Sequence, residues 1–209
     1  MTSDTILICG GAGYIGSALT SRILKETNLK VKVFDQLLYG GDSLYPFFSY
    51  LDRFKFIQGD LRTFYLDGLL DNVDYVVNLA ALVGEPICKK FPKETQEINF
   101  DANIKLAKKA EKKCIDRYIF TSTCSNYGLA VTDKMLDENV KLDPISLYAE
   151  TKVNSEKILL EQLPKLQTVV LRCATAYGLA PRVRFDLLLH EFIRDAWTKA
   201  KIYVYGAES

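Results

Sequence analysis

The sequence predicts an α/β fold: a doubly wound parallel sheet followed by the start of a small C-terminal domain. Three observations predict it. Short apolar runs alternate with longer segments of helical spacing along most of the 209 residues. The first apolar run passes directly into a glycine-rich turn and then a helix. The residues able to do chemistry collect just after the apolar runs, where an open parallel sheet binds its ligands.

The elements follow in order. Thr5–Cys9 is a short apolar run of the kind found in a buried parallel strand. Tyr14–Glu26 carries Ile15, Ala18, Leu19, Ile23 and Leu24 at helical spacing. Lys30–Asp35 is the second strand, and Phe54–Gln58 the third, closed by Gly59-Asp60. Asp74–Ala81 is the fourth, ending in small residues. Thr95–Cys114 is expected as one long helix with Ile98, Ala102, Leu106 and Ala110 on its apolar side. Asp116–Thr123 is the fifth strand, Tyr148–Leu163 a helix stopped by Pro164, and Leu166–Arg172 the sixth strand. Residues 1–172 form one unit on this reading, and residues 173–209 begin a second.

The glycines can be read as Gly11-x-Gly13-x-x-Gly16 or as Gly10-x-x-Gly13-x-x-Gly16. Between a strand and a helix, such a turn lets the backbone approach a pyrophosphate, which the helix N-terminus then binds through unpaired N–H groups. This is the Rossmann-type arrangement. Asp35 ends the second strand 19 residues after Gly16. A carboxylate there binds ribose hydroxyls and repels a 2′-phosphate, and no arginine follows in Gln36-Leu37-Leu38-Tyr39, so NAD is expected over NADP.

Tyr148 and Lys152 stand at i and i+4 on the helix after the fifth strand, on one face. A lysine ammonium beside the phenol is expected to favour phenolate and lower the tyrosine pKa from about 10. A tyrosine so tuned exchanges a proton with a sugar or alcohol hydroxyl.

Composition narrows the classes. The 27 basic and 26 acidic side chains nearly cancel, which argues against a nucleic-acid surface or a polybasic membrane patch. Five scattered cysteines, Cys9, Cys88, Cys114, Cys124 and Cys173, make neither a disulfide framework nor a zinc pattern, and no metal is expected. No apolar run reaches membrane-span length, and no signal peptide is read at the N-terminus, so a cytoplasmic location is expected. His190 is the only histidine, and a lone histidine is more often structural than catalytic.

Together these residues resemble the extended short-chain dehydrogenase/reductase family, within it the NAD-dependent nucleotide-sugar epimerases and dehydratases. The shared signatures are Gly10-Gly11-Ala12-Gly13-Tyr14-Ile15-Gly16, Gly59-Asp60-Leu61, Asn78-Leu79-Ala80-Ala81, Thr121-Ser122-Thr123-Cys124-Ser125-Asn126-Tyr127-Gly128, Tyr148-Ala149-Glu150-Thr151-Lys152 and Leu171-Arg172-Cys173-Ala174-Thr175-Ala176-Tyr177-Gly178. The resemblance implies NAD as cofactor, a nucleotide-diphosphate sugar as substrate and a homodimer. It places Gly10, Gly13, Tyr14, Ile15 and Gly16 at the phosphates, Asp35 at the ribose, and Asp60 and Leu61 at the adenine. Leu79, Ala80 and Ala81 would pass under the cofactor, with Asn99 supporting their loop. Thr121 and Cys173 would lie near its nicotinamide end. Thr123, Tyr148 and Lys152 would be catalytic, with Lys152 also on the nicotinamide ribose. Val83, Thr123, Thr175, Arg182, Arg184 and His190 would face the sugar nucleotide, the two arginines meeting its diphosphate.

Two positions refine the expected reaction. Where the dehydratases of this group carry Asp and Glu after the threonine, this chain has Cys124 and Ser125. A thiol and a hydroxyl replace an acid–base pair poorly. Epimerisation through a transient ketone is therefore expected over dehydration. A nucleotide-sugar ketone reductase, or a non-catalytic NAD-binding module, is the alternative. The segment Lys201–Ser209 resembles the first strand of a substrate domain that continues further in relatives.

Overall fold

The structure is a computed structural model and describes residues 4–129 and 135–204. Six strands, β1 (Thr5–Cys9), β2 (Lys30–Asp35), β3 (Phe54–Gln58), β4 (Tyr75–Asn78), β5 (Arg117–Thr123) and β6 (Thr168–Cys173), form one sheet in the order β3-β2-β1-β4-β5-β6. Every neighbouring pair is parallel. The order reverses between β1 and β4, opening a crevice at their carboxyl ends.

Strand side chains alternate between the two faces, and the core divides accordingly. Leu7 and Cys9 of β1, Phe34 of β2, Val76 of β4 and Tyr118 and Phe120 of β5 pack on one side. They meet α2 (Leu66–Leu69), α5 (Asn103–Lys112) and α6 (Leu147–Glu161) through Leu69, Leu106, Ala110 and Leu159. Ile6 and Ile8, Val31 and Val33, and Val77 pack on the other. They meet α1 (Tyr14–Glu26) through Leu24 and a 3-10 helix (Asp42–Ser49) through Leu44 and Phe47. A fully buried side chain of this kind contributes roughly 1.5–3 kcal/mol. The apolar runs read as strands because both of their faces are covered.

β1, α1, β2 and β3 have the predicted limits. Elsewhere the structure corrects the reading. The helix expected over Thr95–Cys114 is three abutting segments: α4 (Pro92–Thr95), a π-helical stretch (Gln96–Ala102) and α5. It ends at Lys112, and Cys114 turns left-handed at φ 54°. β4 stops at Asn78, and Leu79–Ala81 lie in the following loop, because the Asn78 side chain accepts the Ala80 N–H at 3.2 Å. α3 (Glu85–Lys90) and α7 (Leu188–Lys199) are further helices. Residues 201–204 have no regular structure, and the remainder of the strand expected over Lys201–Ser209 lies outside the described residues. Among the described residues no helix is long and apolar enough to cross a membrane.

Candidate active site

The floor of the site is the turn between β1 and α1. Gly10 has φ 81°, and a Cβ on it would stand 2.9 Å from the Ala80 nitrogen. A Cβ on Gly16 would collide with the Gly10 carbonyl oxygen and stand 2.6 Å from the Gly11 Cα. The turn is thus tight enough to demand glycine at both ends. α1 starts behind Gly13, which has no side chain to cap it. Its first N–H groups therefore face the crevice with the positive end of the helix dipole behind them. Asp35 sits beside the turn: its carboxylate accepts the Ala12 N–H at 3.0 Å and the Leu37 N–H at 2.8 Å. A carboxylate with two filled positions has further lone pairs for a ligand hydroxyl.

The wall from β4 rests on buried polar groups. Asn78, Asn103 and Tyr118 bond to one another at 2.7–3.1 Å. Asn99, in the π stretch, accepts the Leu82 N–H at 2.8 Å and donates to the Leu82 carbonyl at 2.9 Å. Its amide is buried and bonded to both backbone groups of Leu82, so Asn99 fixes the loop just after Leu79, Ala80 and Ala81 and does not itself line the crevice. A π-bulge at a functional site fits this: one widened turn points an amide sideways at a loop. Val83, further along, is exposed.

Beyond β3, Asp60 is paired with Arg62 at 2.6 Å, and Arg62 with Glu97 at 3.1 Å. The Arg62 side chain holds the Asp60 carboxyl below the usual carboxylate range. It stays an ionised acceptor. The Leu61 side chain is buried in the core, leaving only its backbone toward a ligand.

The opposite wall is β5, α6 and β6. Ser146 caps α6 by accepting the Ala149 N–H at 3.2 Å. Lys152 is 3% exposed, and its Nζ donates to the Thr121 carbonyl at 2.7 Å and lies 4.6 Å from the centre of the Phe120 ring. Its Nζ is 5.9 Å from the centre of the Tyr148 ring. This corrects the expected tuning. Burial, then the nearby thiols of Cys88 and Cys173, push Tyr148 up to about 12, and Arg184 is the cation that opposes them. Burial holds Lys152 down to about 8. The ammonium is turned to the β5 backbone and leaves the phenol without its help.

Thr123 ends β5, and its Oγ1 accepts the Ser125 N–H at 3.2 Å. The hydroxyl proton remains available to a bound oxygen. One turn beyond Lys152, Glu156 is buried and accepts from Ser122, from Asn126 at 2.7 Å and from Arg172 at 2.7 Å. Tyr148, Lys152 and Glu156 form one i, i+4, i+8 stripe. Sequence reasoning missed Glu156: its place in that stripe was visible, but its pairing with Arg172 is a tertiary contact. Cys173 is half-buried, near enough to Tyr148 and Lys152 to shift both; Thr175 beyond it is exposed.

Arg182 and Arg184, expected together on a diphosphate, lie near one another: Arg184 acts on Tyr39, the ring under Arg182, and Arg182 acts on Asp186, the partner of Arg184. Arg182 stacks 4.6 Å over the Tyr39 ring, whereas Arg184 pairs with Asp186 at 2.5 Å and biases Tyr148. His190 is buried, with both ring nitrogens on backbone groups.

A glycine turn at the switch point of a parallel sheet, faced by a Tyr-x-x-x-Lys helix, defines a dinucleotide-binding domain of the short-chain dehydrogenase type. The chain belongs to the NAD dependent epimerase/dehydratase family, whose profile matches residues 6–209. It is 31% identical over 215 aligned positions to the Uncharacterized UDP-glucose epimerase YtcB of Bacillus subtilis (strain 168), covering 96% of this chain and 65% of that protein. A UDP-glucose 4-epimerase of Halalkalibacterium halodurans is 34% identical over 189 positions, 86% of this chain and 53% of its own length. Among solved structures, the UDP-glucuronic acid 4-epimerase from Bacillus cereus, in complex with UDP-glucuronic acid and NAD, superposes with a TM-score of 0.81 at 29% identity, over 92% of this chain and 63% of that one. The chain thus spans about two thirds or less of the length of these relatives.

Proposed function

We propose that this chain is the cofactor-binding part of an NAD-dependent epimerase acting on a nucleotide-diphosphate sugar. One observation carries the reading: the 2.7 Å bond from Lys152 to the Thr121 carbonyl. It ties the Tyr148 helix to the end of β5 two residues before Thr123, opposite the glycine turn. The residues fit a dinucleotide: an uncapped helix start for the pyrophosphate and Asp35 for the adenosine ribose. Bound NAD would supply the hydride acceptor for the oxidation and the hydride donor for the return reduction.

The chain's residues move the proton. Thr123 donates to the reacting oxygen and orients it. Tyr148 takes the hydroxyl proton as the carbon is oxidised and gives it back after the ketone has turned. Lys152 holds the nicotinamide ribose from the buried side. Cys124 and Ser125 offer no acid–base pair, so water is retained. The two signed preferences, NAD and epimerisation, also separate this reading from a ketone reductase, which would consume reduced cofactor. The five free thiols suit a reducing cytoplasm, a homodimer is the proposed assembly, and residues after Cys173 open the substrate domain.

The test is NAD titration, followed by a panel of UDP-, GDP-, CDP- and dTDP-sugars assayed with the full-length gene product. Interconversion of two sugar epimers without net cofactor consumption supports the proposal. Stoichiometric cofactor oxidation, or loss of water with solvent deuterium at C6, rejects it.

A further inference from the structure

We propose that His190 is a positioning residue whose ring pins the segment 178–184 across the start of α1, setting where Arg182 and Arg184 stand. The Gly178 N–H donates to His190 Nε2 at 3.0 Å, so that nitrogen carries the lone pair. Nδ1 must then hold the proton, and it donates to the Arg184 carbonyl at 2.7 Å. The ring staples two backbone points six residues apart, and no nitrogen is left for substrate or metal.

The same segment is fastened to the glycine-turn helix. The Tyr14 hydroxyl donates to the Gly178 carbonyl at 2.8 Å, and the Arg182 N–H donates to Ser17 Oγ at 3.3 Å. The Tyr14 and His190 rings meet edge to face, 5.6 Å between centres. Gly178 has φ 120°, which a side chain would strain, so this crossing is built into the backbone. Arg182 is thereby set on the Tyr39 ring, and Arg184, paired with Asp186, stands near enough to both Tyr39 and Tyr148 to act on them. The strap is thus tied to the first and fourth residues of α1, beside the helix start that would take the pyrophosphate. The inference rests on the NAD reading above.

Two measurements on the 209-residue chain test it. Trypsin cleavage after Arg182 and Arg184, without cofactor, reads whether the strap is pinned; NAD release from the loaded chain, by chase, reads its effect on the ligand. His190→Ala should raise both rates about tenfold, the scale of two neutral hydrogen bonds lost. His190→Gln, whose amide offers one acceptor and one donor, should recover much of the loss. Tyr14→Phe, a milder change that keeps the ring, should also speed release, and the double variant should fall short of the product of the two. Wild-type rates in His190→Ala, a Gln variant no better than Ala, or independent effects of Tyr14 and His190 would overturn the pin. A wild-type chain that protects the strap from trypsin yet binds no NAD would overturn the dinucleotide reading and leave the pin standing.

Discussion

Lys152 reaches past Tyr148: its ammonium is 2.7 Å from the Thr121 carbonyl and 5.9 Å from the centre of the tyrosine ring. A buried cation with a neutral partner is costly to fold. Its pKa falls from 10.5 to about 8 in the folded chain because burial disfavours the charge. Between those values the unfolded chain binds more protons, so stability rises with pH through that window, and below about pH 8 the penalty is fully present. Lys152→Met should therefore raise the melting temperature of the cofactor-free chain at pH 7, by about 2–4 °C per kcal/mol relieved, and NAD binding should weaken. Calorimetry at pH 7 and pH 10 should show the gain shrinking at the higher pH. A variant less stable at pH 7 would refute the account.

Tyr148 stands the other way. Held up to about 12 by burial and the Cys88 and Cys173 thiols, it is a poor base in the empty site. A cationic nicotinamide next to the phenol favours the phenolate. The difference in tyrosinate absorbance between the wild type and Tyr148→Phe should show one group titrating at lower pH with NAD than without it. With reduced cofactor, which lacks the ring charge, the shift should be smaller. In the full-length protein Tyr148→Phe should lose roughly 10²–10⁴ in rate while keeping NAD affinity.

Glu156 supports the wall that carries both residues. Its side chain is 4% exposed and paired with Arg172 at 16%. Removing one partner of such a pair costs about 3–5 kcal/mol, because the other charge stays behind in the core. Glu156→Ala should lower the unfolding free energy measured by denaturant titration by that order, and the Glu156→Met, Arg172→Met double variant should recover much of the loss. Equal losses in the single and double variants would show that packing, not charge, sets the cost.

Much of this site was legible along the chain. The alternation of apolar runs and helices specified the sheet, since the central strands β1 and β4 are covered on both faces and their runs are continuous. The glycines, Asp35 and Thr123 fall at strand ends, and Tyr148 and Lys152 in the first turns of α6, because β1, β2, β5 and α6 begin or stop where their composition changes. What stayed hidden depends on contacts distant in sequence. Asn99 and Leu82 meet through one widened turn, and no propensity signals it. Glu156 is charged and reads as surface until Arg172 is brought beside it. The direction of Lys152 was misjudged because helical spacing places residues on one face but leaves the choice between a phenol and a backbone carbonyl to tertiary packing.

Asp35 gives the last prediction. Its carboxylate already accepts the Ala12 and Leu37 N–H groups, so it supports the glycine turn as well as offering the ribose acceptor proposed above. Hydrogen bonds to a charged group are worth about 1.5–3 kcal/mol each. Asp35→Ala should therefore weaken NAD binding by roughly 10- to 100-fold, by removing a ribose acceptor and loosening the turn. NADP should lose less, because its 2′-phosphate no longer meets a carboxylate, and the gap between the two should narrow. Asp35→Asn keeps an acceptor for the turn without the charge, and so should retain more NAD affinity than Asp35→Ala while relaxing the discrimination as fully. Parallel titrations of the three proteins with both cofactors decide it: NADP binding as tightly as NAD to the wild type would remove Asp35 as the discriminating group.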